Sequence, residues 1–476
     1  MQTCLSGLWD ILMEHIIMIR HINSVGSHGK NELAVLEDNR MAICHKIEIF
    51  SNGSVITQPK HIYVFYSMLS DPQQTLVQAA SKASDCSSEC HLCVGCIQCA
   101  KKFYDAILSE DNKERPLPGE LLDYFAGNSQ FYYYLSAYKS VKQYRRINDT
   151  LICLKGFSST TPAIYSATFE NACTGGGLYL NVDGYGIAID PGIGFVNSMH
   201  KQGIFIEDIN TVIVTHNHLD HNADLGTLSA LSHDLNGYYK RQAAFYQEFF
   251  DGVQGKKHTI DWFLDKSTKE SMQEIIDNSR ELVRYDSWEN ISENISMQSI
   301  ETMHIKNGIS YGLKFRINLK NEMLQIGYTS DTKFFPELAE FFKEVNILIF
   351  NISDIYEKDV RGIKSKNSHL GYDGSLRLLM KNFSNLKLAI ASEFCCSKGD
   401  YRMKVLRKLS EQIERQKSVC VIPGEVGLKI DMPSGNICCS QCKRMVPISS
   451  MSVVAPEKEF GFIRYVCNRC QYMPVK

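Results

Sequence analysis

Residues 215–224 read Thr215-His216-Asn217-His218-Leu219-Asp220-His221-Asn222-Ala223-Asp224. Three imidazoles and a carboxylate fall within the six positions from His216 to His221. The run just before them, Thr211-Val212-Ile213-Val214, is apolar and β-branched, the composition of a strand. A strand that empties four such side chains into one loop brings donors for two metal ions side by side. Imidazole and carboxylate suit Zn²⁺ and other borderline first-row ions such as Mn²⁺ or Fe²⁺. The plainer alternative, a polar loop whose histidines cap a strand, rarely produces this spacing.

The chain has 476 residues, enough for two to four domains and a sizeable core. Its apolar fraction of 44% and charged fraction of 22% are those of an ordinary soluble globular protein. Lys and Arg number 51 against 53 Asp and Glu, so no global basic field announces a nucleic-acid partner. The apolar stretch 5–19 is interrupted by Asp10, Glu14 and His15, and no run approaches a membrane span. With no signal-peptide pattern at the start, a cytoplasmic, reducing location is expected. Most of the 17 cysteines sit in two tight clusters, which under reducing conditions read as metal ligands rather than disulfides.

Pattern changes along the chain suggest three parts. Residues 1–150 form a mixed α/β region of no assigned role. Strands are expected at 46–50 and 61–66, and helices at 73–82, 101–110 and 119–144. The tyrosines Tyr132, Tyr133, Tyr134 and Tyr138 read as a packing face. From 151 to 432 short strands alternate with glycine turns and helices. A hairpin turns at Asp183-Gly184, and its second strand ends at Asp190-Pro191-Gly192. Further strands are expected at 313–317, 324–328, 347–350 and 387–391, and a helix at 375–381. Residues 231–295 read as a mostly helical, charged insertion. The expected fold class is α/β (α+β), a layered αββα sandwich. Residues 433–476 form the third part.

Four further residues stand where metal chemistry would need them: Asp190 at a strand end, His304 in Thr302-Met303-His304, Asp331 in Thr329-Ser330-Asp331-Thr332, and either His369 or Glu393 near the end of the domain. Taken singly, each has a bland reading as a turn residue, a structural histidine or a helix cap. Together with the histidine loop, their order resembles the metallo-β-lactamase superfamily. That resemblance implies that His216, His218 and His304 hold one ion, and that Asp220 and His221 serve a second. It also implies that Asp331 bridges both ions and that Asp190 braces the histidine loop.

Within the superfamily, several stretches resemble the phosphodiesterase branch, including tRNase Z-like enzymes. They are Leu154-Lys155-Gly156-Phe157-Ser158-Ser159-Thr160-Thr161-Pro162, the Thr-Ser-Asp-Thr at 329–332, and Val-Ile-Pro-Gly-Glu-Val-Gly-Leu-Lys-Ile at 421–430. The resemblance implies His369 as a general acid and Glu393 in the last ligand slot, where that branch carries a histidine. A glyoxalase II-like arrangement would instead make His369 the last ligand. The chain departs from tRNase Z-like enzymes at Phe350-Asn351-Ile352-Ser353-Asp354 and has no convincing counterpart of their tRNA-binding arm. Phosphodiester hydrolysis is therefore expected more firmly than tRNA maturation. The implied mechanism is attack by a water ionised between two cations, oriented by Asp220.

Cys439-x-x-Cys442 and Cys467-x-x-Cys470 flank an apolar segment with turn residues Pro447 and Gly461, the pattern of a zinc ribbon with one structural Zn²⁺. Lys443, Arg444, Arg464 and Arg469 would suit an anionic surface, though four basic residues are more often a solvated face. Cys90, Cys93, Cys96 and Cys99 recur at three-residue spacing, with Cys86 just ahead. Zn²⁺ or an iron–sulfur cluster would fit there, and a free surface loop is the bland alternative.

The expected function is thus a dinuclear metal hydrolase, a phosphodiesterase or nuclease acting on nucleic acid or a nucleotide. A glyoxalase-like or lactamase-like hydrolase of a small thioester or amide is the second reading. The third is a non-catalytic adaptor binding a protein partner through the N-terminal region or the ribbon. No membrane partner is expected, and the sequence leaves oligomeric state open.

Overall fold

The buried run Thr211–Val214 is flanked on both sides by parallel strands, Tyr185–Ile189 and Asp261–Leu264. A central parallel strand is covered on both faces, which is why this stretch is uniformly β-branched. In the computed structural model Ile213 faces a core shared between two sheets, while Val212 and Val214 are buried outside that cluster. The structure describes residues 18–23, 29–35, 41–48, 60–65, 149–158, 160–161, 164, 175–249, 257–304, 308–320, 322–355, 369–396 and 399–471.

The chain divides into two compact units. One comprises Met1–Arg146 with His233–His258, the other Ile147–Ser232 with Thr259–Lys476. In the first unit, strands Met18–Asn23, Gly29–Val35, Met41–Glu48 and Lys60–Phe65 form an antiparallel sheet in sequence order. The helices expected at 73–82, 101–110 and 119–144, and the cysteines Cys86, Cys90, Cys93, Cys96 and Cys99, lie outside the described residues.

The second unit holds two large mixed sheets. From edge to edge the nine-stranded sheet runs Arg280–Glu281, Asp261–Leu264, Thr211–Val214, Tyr185–Ile189, Leu178–Val182, Thr150–Cys153, Lys429–Asp431, Asn436–Cys438 and Met445–Val446. The seven-stranded sheet runs Tyr285–Asn290, Ile295–Thr302, Ser310–Asn318, Met323–Tyr328, Ile347–Ile355, Leu388–Cys396 and Cys420–Pro423. Leu151, Leu180, Ile187, Ile189 and Ile213 of the first sheet meet Met297, Leu313, Phe315, Ile326 and Ile349 of the second in one cluster. Burying a side chain of this size contributes about 2 kcal/mol, so the interlocking faces dominate the unit's stability.

The far face of the second sheet is covered by helices Gly371–Leu379 and Arg402–Glu414, through Leu378, Leu379, Val405 and Leu409 packed on Leu348, Phe350, Ala389 and Ala391. Helix Phe195–Lys201 contributes buried Phe195 and Met199 after the first sheet's hairpin. Strands and helices thus alternate as the sequence predicts, with one correction. Among the described residues of 231–295, helix is less than half, with Lys266–Met272 the second helical piece. Helix Leu225–Phe249 covers their first part, but Asp261–Leu264, Arg280–Glu281 and Tyr285–Asn290 are strands. The short apolar run Trp262-Phe263-Leu264 fills a parallel register against Val212-Ile213-Val214, and this pairing outweighs the surrounding charge. Among the described residues no helix is long and apolar enough to cross a membrane.

Candidate metal centre

The strand Thr211–Val214 delivers its loop to a fixed carboxylate. Asp190, at the end of the neighbouring strand, is fully buried. Its Oδ1 accepts the Thr215 N–H at 2.7 Å, and its Oδ2 accepts from Thr215 Oγ1 at 2.8 Å and Tyr328 OH at 2.9 Å. His221 Nδ1 lies 2.8 Å from the same Oδ2. A proton on Nδ1 leaves the Nε2 lone pair facing the opposite way. Gly192 lets the loop approach so closely, because a Cβ there would stand 1.8 Å from the Asp220 carbonyl oxygen.

Two groups of ligand-type atoms converge beside this brace. The first is His216, His218, His304 and Asp331, the second Asp220, His221, Asp331 and Glu393, each within 4.8 Å. His218 Nδ1 lies 3.1 Å from His216 Nε2 and 3.1 Å from His304 Nε2. Three nitrogens about 2.0–2.1 Å from one tetrahedral ion would stand roughly 3.3 Å apart, so the triangle fits a zinc-sized ion. Asp331 Oδ2 is common to both groups, 3.6 Å from His304 Nε2 and 3.7 Å from His221 Nε2. Its Oδ1 accepts from Asn351 Nδ2 at 3.0 Å. In the second group His221 Nε2 is 3.7 Å from Asp220 Oδ2 and 3.4 Å from Glu393 Oε2. These gaps suit oxygens and nitrogens sharing an ion rather than bonding each other.

Asp190, Ser330 and Glu393 take positive φ values of 51°, 51° and 56°. Left-handed backbone costs such residues of order 1–3 kcal/mol and persists where the surroundings over-determine it. Here it falls just past two strand ends, at Asp190 and Ser330, and within strand Leu388–Cys396 at Glu393. Ser330 Oγ and Thr215 Oγ1, 2.7 Å apart, pin the Asp331 loop to the histidine loop.

Electrostatics follow the packing. Burial, then the neighbouring His221, holds His216 well below the ordinary histidine value. Burial likewise brings His304 down to about 4. Burial would depress His221 too, but Glu393, Asp190 and Asp220 outweigh it and hold it well above. Asp331 is buried, yet hydrogen bonds from His221 and His369 keep it well below the carboxylate range. Burial and the Asp331 charge push Glu393 up to about 7. An excess of carboxylate crowded around neutral imidazole is the donor set a divalent cation takes up.

His369 precedes helix Gly371–Leu379 and lies outside both ligand groups. Its Nε2 is 3.5 Å from Asp331 Oδ2, its ring 4.8 Å from that of His304, and its side chain 21% exposed. Glu393 is the residue that the structure puts in the second group. Sequence reading gave no role to Lys155, Tyr328 or Asn351, all buried against these ligands. Tyr328 and Asn351 had a usable signal, since each stands beside a residue already singled out. Lys155 lies in the Leu154–Pro162 stretch already singled out, but nothing in a sequence marks a lysine as buried.

In the same unit, Cys439, Cys442, Cys467 and Cys470 converge within 4.8 Å. Cys442 Sγ and Cys467 Sγ are 3.8 Å apart, and four sulfurs about 2.3 Å from a tetrahedral zinc would be separated by roughly 3.8 Å. Against burial, N–H groups of Cys442, Cys467 and Gln441 bring Cys439 down to about 6, favouring its thiolate. Strands Met451–Val454 and Arg464–Cys467 pair antiparallel between the knuckles.

Two mixed sheets face to face, helices outside, and a histidine loop at a strand end braced by a buried aspartate decide the architecture. The fold is the layered αββα sandwich that the sequence predicts. Residues 166–361 match the family model described as "Anti-Pycsar protein Apyc1". An uncharacterized protein of Methanocaldococcus jannaschii, MJ1374, is 25% identical over 269 residues, 56% of this chain and 91% of that protein. Ribonuclease Z of Streptomyces coelicolor is 35% identical over 81 residues, 16% of this chain and 26% of that enzyme. Among solved structures, the metallo-β-lactamase fold protein YhfI from Bacillus subtilis is 15% identical with a TM-score of 0.42, covering 59% of this chain and 98% of that one. The short form of human tRNase Z is 13% identical with a TM-score of 0.39, covering 60% and 99%. Yeast PDE1 is 14% identical with a TM-score of 0.39, covering 58% and 96%.

Proposed function

We propose that this chain is a metal-dependent phosphodiesterase acting on a nucleic acid or a nucleotide. The observation that carries the reading is the convergence of His216, His218, His304 and Asp331 with Asp220, His221 and Glu393. A phosphodiester substrate is supported by the stretch shared with ribonuclease Z. In this reading His216, His218 and His304 would hold one cation, and Asp220, His221 and Glu393 a second, with Asp331 belonging to both ligand groups. Divalent cations held there supply positive charge against which water ionises near neutral pH and phosphoryl oxygens are neutralised.

The chain's own groups supply the rest. Asp190 keeps a proton on His221 Nδ1, leaving Nε2 as a donor. Asn351 anchors one oxygen of Asp331, so that the other points inward. Asp220 orients the attacking water by accepting its hydrogen bond. His369, part-exposed beside Asp331, donates a proton to the departing alkoxide. The ribbon cysteines hold one structural zinc.

Turnover of bis(p-nitrophenyl) phosphate by the zinc- or manganese-loaded full chain, beside a thioester and nitrocefin, tests the reading. Hydrolysis of the diester alone, lost in His218→Ala, is expected. Faster turnover of the thioester or nitrocefin, or an undiminished rate in His218→Ala, overturns it.

A further inference from the structure

Lys155 is a fully buried cation to which the hydrolytic scheme gives no task. A buried lysine is rare and costs several kcal/mol unless its ammonium is paired. Here Nζ lies 2.6 Å from Glu393 Oε1 and donates to the Asp220 carbonyl oxygen at 2.7 Å. It also stands 3.5 Å from Asp220 Oδ2 and 3.4 Å from His221 Nε2. The two oxygens of Glu393 are treated unequally. Oε1 is taken by the ammonium, whereas Oε2 is buried with no hydrogen-bond partner among the described residues. That unpaired oxygen lies 3.4 Å from His221 Nε2, within the group that also contains Asp220 and Asp331. An unsatisfied buried carboxylate oxygen aimed among three other donors marks a place for a cation.

From this division we infer that Lys155 is a positioning residue for the second cation, gripping Glu393 by Oε1 so that Oε2 is presented as a ligand. The proposal rests on the two-cation reading above and assigns the residue that completes its second position. Glu393 sits at a left-handed φ of 56° within strand Leu388–Cys396, and its backbone alone does not fix the carboxylate's rotation. The ammonium at 2.6 Å does so, with Tyr328 OH donating to the same Oε1 at the longer distance of 3.4 Å, and the ammonium cancels the negative charge that Glu393 brings. Lysine and glutamate together act as one neutral donor. The same ammonium ties the Asp220 backbone, and so couples Glu393 to the loop that carries Asp220 and His221. Lys155 follows strand Thr150–Cys153, and Ser392 Oγ donates to its carbonyl oxygen at 3.4 Å, so the lysine is itself held by the strand that carries Glu393.

The test counts zinc ions per full-length chain by native mass spectrometry across a buffered zinc series. Wild type, Lys155→Met and the charge-balanced double variant Lys155→Met/Glu393→Gln are compared, with bis(p-nitrophenyl) phosphate turnover measured in parallel. Removing an outer partner of a ligand commonly weakens metal affinity about 10–100-fold. We expect Lys155→Met to lose one ion relative to wild type at limiting zinc, its affinity for that ion falling by about this factor. The double variant removes both partners of the Lys155–Glu393 pair together, so neither is left buried without the other, and it guards against misfolding. It should lose the same ion, with no further loss beyond Lys155→Met. Wild-type affinity for every ion in Lys155→Met, or in the double variant should the single one fail to fold, overturns the inference while diester turnover leaves the function standing. An extra ion in Lys155→Met that wild type lacks also overturns it, because the ammonium would then be occupying the cation's place. A wild-type chain with neither ions in the histidine site nor diester turnover fails at the functional reading itself.

Discussion

The histidine centre and the cysteine ribbon lie in one compact unit and gather metal-type donors by opposite means. The ribbon brings four sulfurs from two short knuckles, and Cys439, Cys467 and Cys470 are buried. Four thiolates complete a tetrahedral ion and leave no position for a substrate. The histidine centre draws its donors from four separate places in the chain, the 216–221 loop, His304, Asp331 and Glu393. It mixes neutral imidazole with carboxylate, and it leaves His218 exposed. Left-handed backbone at Asp190, Ser330 and Glu393 shapes the brace, the Asp331 loop and one of the donors. A ribbon made to hold its ion needs little more than spacing. A centre made to use its ions needs strained, buried, mutually braced groups, so its disruption should show in chemistry and the ribbon's in stability.

The largest effect should come from Asp331, the one side chain that serves both ligand groups. Asp331→Asn should lower diester turnover by roughly 10³-fold, because it weakens charge stabilisation worth several kcal/mol. A steady-state assay with metal content measured in parallel checks this, and an unchanged rate would break the proposed division of labour between the regions. Next is His369→Ala. With a poor leaving group, turnover should fall by about 10²-fold or more, the lower range for a lost proton donor. With p-nitrophenolate, which needs no proton, the loss should nearly vanish. Equal losses on both substrates would make His369 a structural residue.

A smaller loss, about 10–100-fold in metal affinity or turnover, is expected for Asp190→Asn, which removes the brace from His221 and Thr215. Cys467→Ser should lower the temperature of thermal unfolding and abolish one bound zinc while leaving diester turnover close to wild type. A large fall in turnover would show that the ribbon and the histidine centre are coupled. The ribbon joins the rest of the unit through the pairing of Asn436–Cys438 with Lys429–Asp431, through Tyr465 OH donating to the Pro423 carbonyl oxygen, and through Arg402, which links Glu425 to the Gly461 carbonyl oxygen.

The smallest effect concerns pH. His304 is held at about 4 in the folded chain, against an ordinary 6.5. Between these values the unfolded chain binds the proton and the folded chain does not. The metal-free protein should therefore be fully stable with respect to this group above pH 6.5 and lose stability as pH falls towards 4. Urea midpoints of metal-free wild type and His304→Gln, followed over that window, check the sign. The slope should be shallower in the variant.

The sequence by itself determined the features that are local. His216, His218, Asp220 and His221 share one loop, so spacing alone brings them near each other. The two Cys-x-x-Cys pairs work the same way, because a knuckle needs only a tight turn and two thiols. Strand and helix order was also legible, since Thr211–Val214 and the first four residues of Ile347–Ile355 are apolar runs, and Leu313 to Ile317 alternates apolar and charged residues as a half-buried strand does. Within 231–295 the strands were missed because Asp261–Leu264 is a short apolar run amid charged residues, and Arg280–Glu281 and Tyr285–Asn290 are short, polar edge strands. The tertiary structure alone decided the long-range matters. It put Glu393 with Asp220 and His221, and His369 beside Asp331 and outside both ligand groups. It also showed that Lys155 is buried with its ammonium against Glu393. Residues 65 and 238 positions away from Lys155 reach it only because parallel sheets bring distant strand ends together. A lysine's environment, unlike a strand's period, leaves no trace in its neighbours.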